Sequence, residues 1–169
     1  MIQNTRTQKL NDRDRRADGG YVLYWMQEAQ RPHGNAALET AIRGANKYGL
    51  PVVVCYGLMD GYPEANARHY AFMLEGLRDC AEGFRDRGIA FSVRHGMPGD
   101  VALALSDQAA AVICDRAVAS SASSSASRLD SSTCFLYASL SFAADSFSDA
   151  AKPFFVLQAF VDAAPSLHF

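Results

Sequence analysis

The chain has 169 residues, 49% of them apolar and 20% charged, enough for one ordinary domain with a buried core and too few for a large multi-domain enzyme. Sixteen basic against 18 acidic residues leave a formal charge of −2, without the uniformly basic surface of a dedicated nucleic-acid binder, so any contact with DNA has to be local. No run approaches the roughly eighteen unbroken apolar residues of a membrane span, and no membrane partner is expected.

The first 20 residues, MIQNTRTQKLNDRDRRADGG, are charged throughout and lack the apolar core of a signal peptide. They read as a flexible leader, and a cytoplasmic or, in a eukaryote, nuclear location is expected. Residues Tyr21 to Trp25 are continuously apolar, the pattern of a strand buried on both faces. A polar loop follows from Gln27 to Gly34. Asn35 is suited to cap a helix whose inner face is Leu38, Ala41, Ile42 and Ala45 and which Gly49 ends.

Pro51 opens a second strand over Val52 to Leu58, and the loop MDGYPEAN leads to Asn66, a cap for a longer helix. Tyr70, Met73, Leu74, Leu77, Ala81 and Phe84 fall at helical spacing along it, and Gly88 stops it. Ile89 to Val93 predicts a third strand, Pro98 to Leu105 a short helix, and Ala110 to Cys114 a fourth strand. The order βαβαβαβ implies an α/β, Rossmann-like parallel sheet over residues 21–116 with helices on both faces.

Ligands of such sheets bind beyond the carboxyl ends of the strands, where the strand order reverses. That edge carries Met26, Gln27, Arg31 and Asn35, then Asp60 and Tyr62, then Asp115 and Arg116. Asp115-Arg116 reads most simply as a salt-bridged strand end. The string NARHY, Asn66 to Tyr70, either caps its helix or offers amides, Arg68 and His69 to an anion or polar ring.

Composition changes after Arg116. Residues 1–116 hold all 12 glycines and two serines, whereas residues 117–169 hold 13 serines and seven of the ten phenylalanines. Average usage would put roughly four glycines in the second part, so it is a different kind of sequence. Residues 117–131 resemble a Ser/Ala linker. Beyond it Leu136, Leu140, Ala144 and Phe147 share a helical spacing, and an irregular or partly helical tail is expected.

Local motifs supply no catalytic residue. The loop after the first strand has neither GxGxxG nor a Walker sequence, and GxSxG is absent. His33, His69, His95 and His168 are not paired at metal spacing. Cys55, Cys80, Cys114 and Cys134, set 25, 34 and 20 residues apart, fit neither a zinc site nor a disulfide framework.

Longer strings are more specific. YVLYWMQEAQRPHGNAALETAI, LPVVVCYGLMDGYPEANARHYAFMLEGLRD and RGIAFSVRHGMPGDVALAL closely resemble the N-terminal α/β domain of class II cyclobutane pyrimidine dimer photolyases, from about Arg15 to Arg116. The resemblance implies a truncated relative of a light-driven DNA repair lyase. In the whole family, reduced FAD in a helical C-terminal domain repairs damaged DNA. That domain has no counterpart in the 53 residues after Arg116, so no repair by this chain alone is expected. A shifted reading frame would account for the change of composition there. The resemblance also implies a site for an antenna pigment such as a deazaflavin, at Trp25, Met26, Gln27, Arg31, Asn35 and Asp60. The face that docks the flavin domain would then lie open to self-association. A free-standing nucleotide- or small-ligand-binding α/β module remains the alternative.

Overall fold

In the computed structural model, residues 7–116 and 135–139 are described. Strand β1 is Thr7–Lys9, β2 Tyr21–Trp25, β3 Val52–Leu58, β4 Ala90–His95, β5 Ala109–Arg116 and β6 Phe135–Ser139; the helices are α1 Ala36–Tyr48, α2 Ala67–Asp86 and α3 Pro98–Ser106. They form one six-stranded sheet in the order β1-β6-β5-β2-β3-β4. The predicted βαβα pattern appears as four parallel strands, β5-β2-β3-β4, with β2 at the centre.

The apolar run of β2 is buried on both faces for the reason its sequence suggests. Val22, Tyr24 and Met26 pack with Ile113 of β5 and Val54 of β3 under α1 and α2, through Leu38, Ala41, Leu77 and Phe84. Leu23 and Trp25 face the other way, with Cys55, Val112 and Cys114, under Ala102 of α3. Helices therefore cover both faces. The Phe84 and Phe91 rings, 5.0 Å apart and tilted by 51°, close the first core at its β4 side. Gly49 ends α1 in a left-handed conformation, φ 66°, that side-chain-bearing residues avoid.

Two strands lie where the sequence predicts none. The leader, expected to be flexible, pairs from Thr7: β1 runs antiparallel to β6, Leu10 packs on the α3-side core, and the Arg16 amide donates to Ala110 O at 2.9 Å. Backbone pairing needs no particular side chain, so a three-residue polar strand carries no hydrophobic signature. Leu136, read as part of a helical face, lies in β6, which runs parallel to β5; Leu140, Ala144, Phe147 and the Ser/Ala segment 117–131 lie outside the described residues. Among the described residues no helix is long and apolar enough to cross a membrane.

Candidate functional site

The chain order reverses at β2, which has β3 and β4 on one side and β5 on the other. The loop leaving β2 is pinned at four places. The amides of Gln27, Glu28 and Ala29 donate to the Asp115 carboxylate at 2.9, 3.1 and 2.6 Å. Asn35 Nδ2 donates to Ala29 O at 2.9 Å and to the Tyr24 hydroxyl at 2.8 Å. The Cys80 thiol donates to Gln30 O at 3.2 Å, and Pro32 lies against Gly83 of α2, where a Cβ would overlap its ring. Among the described contacts the Asp115 carboxylate is bonded by loop amides, where the sequence suggested a salt-bridged strand end. Its partners are backbone amides far earlier in the chain, which local sequence does not reveal.

On the β3 side of this loop lies a cavity of about 410 Å³, within the range of small-ligand sites. Its wall is apolar and aromatic: Met26, Leu58, Met59, Met73, then Tyr56, Tyr62 and Tyr70. Gln27, Glu28, Gln30 and His69 supply the polar groups, and among the described residues that line it there is no lysine or arginine. Such a lining suits a flat ring with hydrogen-bonding edges better than a phosphate.

Local folding sets each of these groups. The Tyr56 hydroxyl donates to Met73 Sδ at 3.4 Å and accepts from Gln30 Nε2 at 3.3 Å; burial pushes its phenol above the ordinary value, so it stays a neutral donor. The Tyr70 hydroxyl donates to Met59 O at 3.1 Å and accepts from the Tyr62 amide at 3.2 Å, which fixes the loop after β3 as the rim. Asn66 Oδ1 accepts from the Arg68 and His69 amides, and His69 Nδ1 accepts from the Asn66 amide at 3.2 Å. This is a capping box, so the capping alternative for NARHY holds, and the neutral His69 ring carries its proton on Nε2. Gly57 touches Pro98 at the foot of the cavity, where a Cβ would overlap the Pro98 backbone.

Of the residues that the resemblance singles out, the structure brings Met26 and Gln27 to the cavity. Trp25, 1% exposed, lies on the opposite face of β2 between its register partners Cys55 and Cys114, and its Nε1 has no hydrogen-bond partner among the described residues. Asn35 is buried as the α1 cap. Arg31 is half-buried in the loop and does not line the cavity, and Asp60 is exposed and bonded to His95 Nε2 at 2.8 Å. Sequence reasoning passed over Tyr56, Tyr70 and Met73 because they fit the apolar faces of a strand and a helix. For Tyr70 the available signal was its position, in the first turn of a helix at the carboxyl edge of the sheet; Tyr56 and Met73 also pack against the core and gave none.

A family model described as DNA photolyase matches residues 22–161, continuing past Arg116. The chain belongs to the DNA photolyase family. A deoxyribodipyrimidine photo-lyase from Methanothermobacter thermautotrophicus is 46% identical over 116 residues, covering 69% of this chain and 26% of that protein. One from Potorous tridactylus is 42% identical over 79 residues, covering 47% of this chain and 15% of that protein. The chain therefore spans about a quarter or less of these relatives' length. A universal stress protein from Archaeoglobus fulgidus, solved in complex with dAMP, shares the fold at TM-score 0.50 and 15% identity, covering 72% of this chain and 98% of that one.

Proposed function

We propose that these residues form the antenna-side α/β domain of a light-driven DNA repair protein, with the cavity beside Tyr56 holding a flat, uncharged pigment of the deazaflavin kind. The carrying observation is the cavity itself: aromatic and thioether walls for the faces of a ring, with the Gln27 and Gln30 amides available to its polar edge. A pigment held there would absorb light for a flavin that drives repair. FAD does not fit this cavity, because its pyrophosphate calls for cations or unpaired amides, and the loop amides are already taken by Asp115. Repair by these residues alone is not expected.

The second reading, a nucleotide-binding module, has the fold in its favour, since the universal stress protein of the same fold carries dAMP. Purified chain exposed to a deazaflavin, FAD and ATP, then desalted, separates the two. The antenna reading expects the deazaflavin to be retained, with a shifted absorbance band, and the Tyr56→Ala variant to lose about ten-fold in affinity through its missing ring contact. Retention of ATP with rejection of the deazaflavin would establish the second reading instead. Rescue of ultraviolet survival in a repair-deficient bacterium under visible light would overturn the expectation of inactivity.

A further inference from the structure

We propose that Asp115 is a built-in anion that sets ligand choice: its carboxylate fills a three-amide nest at the switch point between β2 and β5 and so bars phosphorylated ligands from that crevice. The assignment rests on the pigment reading only for what occupies the neighbouring cavity. Three consecutive amides aimed at one spot are an arrangement that receives phosphates, and the carboxyl edge where strand order reverses is where open parallel sheets receive ligands. Here the spot is occupied from within. The two Asp115 oxygens accept from Gln27, Glu28 and Ala29 within 3.1 Å, and the residue is 2% exposed.

The surroundings reinforce the exclusion. Burial first, and the Asp115 charge second, push the Tyr24 phenol well above its ordinary value, so its hydroxyl stays neutral beside the carboxylate. The nearby cavity rim adds Glu28 and, among the described lining residues, no lysine or arginine. A phosphate brought here would meet like charge with its natural donors already used. The open cavity lies one strand over, on the β3 side, where a ring can enter without crossing that charge.

Two measurements on the full chain test this. Riboflavin and FMN share a ring and differ by one phosphate; the wild type is expected to bind riboflavin about ten-fold or more tightly than FMN, and Asp115→Ala to bring the two within about three-fold. Independently, inorganic phosphate is titrated while the backbone amide resonances of Gln27, Glu28 and Ala29 are followed. They are expected to stay in place in the wild type and to shift saturably in Asp115→Ala. Should that variant fail to fold, Asp115→Ser, whose shorter side chain also vacates the nest, must show the same saturable shift. Wild-type amides that respond to phosphate, variant amides that ignore it, or equal wild-type affinity for riboflavin and FMN would each overturn the assignment. If neither flavin binds the wild type but the variant amides take up phosphate, the pigment reading fails and the assignment of Asp115 stands.

Discussion

One side chain, Asn35, joins a helix to the loop that forms the cavity rim. Its Oδ1 accepts from the Ala37 and Leu38 amides, both at 3.1 Å, while its Nδ2 donates to the Tyr24 hydroxyl and Ala29 O. Losing a cap alone costs about 1 kcal/mol, but leaving two buried acceptors without their donor adds about 1–3 kcal/mol. Asn35→Ala is therefore expected to lower unfolding free energy by about 3 kcal/mol in urea titration. Asn35→Ser, which keeps an acceptor and loses the amide donor, should recover about the cap's share. Equal losses for the two variants would show that the donor side contributes nothing. The cap was legible in the sequence, because a short polar residue before a periodic apolar stretch has a local cause. The bond to Tyr24, and all three amide contacts of Asp115, were not, because they join residues that only the tertiary fold brings together.

Strand β3 passes close against the start of α3. Gly57 is a glycine because Pro98 occupies the space a Cβ would need, with backbone on both sides of the contact. Gly57→Ala must push the start of α3 away from the sheet, and overpacking of this kind costs about 1–3 kcal/mol. Since Pro98 also lines the cavity, the substitution is expected to lower the melting temperature and to weaken riboflavin binding together. A variant that melts earlier with unchanged affinity would separate this contact from the site. At this scale the central strands were the most legible: β2 and β3 have the predicted bounds, because strands covered on both faces read as largely unbroken apolar runs. The third strand continues to His95 although Arg94 and His95 are exposed, since their backbones still pair with Gly57 and Leu58 of β3. Hydropathy cannot register pairing of that sort. It also could not register the pairing of β1 with β6, which joins residues more than a hundred positions apart in sequence.

For the molecule as a whole, acid and alkaline conditions act on different groups. On the acid side the resolved shift is that of Asp18, held below its ordinary value mainly by its bond to Arg16; it lies at the surface and contributes little. On the alkaline side the buried groups dominate. Burial pushes the Cys55 thiol from 9.0 up to about 12, and likewise raises the Tyr56 phenol and, most of all, Tyr24. A group whose pKa is higher folded than unfolded gives stability that is complete below its unfolded value and is lost as pH rises toward its folded value. The protein should therefore hold its melting temperature from neutral pH to about 9 and lose it steadily toward 12, with Cys55 alone accounting for on the order of a few kcal/mol. Cys55→Val, which keeps the volume and removes the ionisable sulfur, is expected to flatten the alkaline decline in thermal melts recorded across this range. An unchanged slope in that variant would mean that the Cys55 thiol is not what limits alkaline stability, and would shift the effect to the other groups that burial raises, Tyr21, Tyr24, Tyr56 and Cys80.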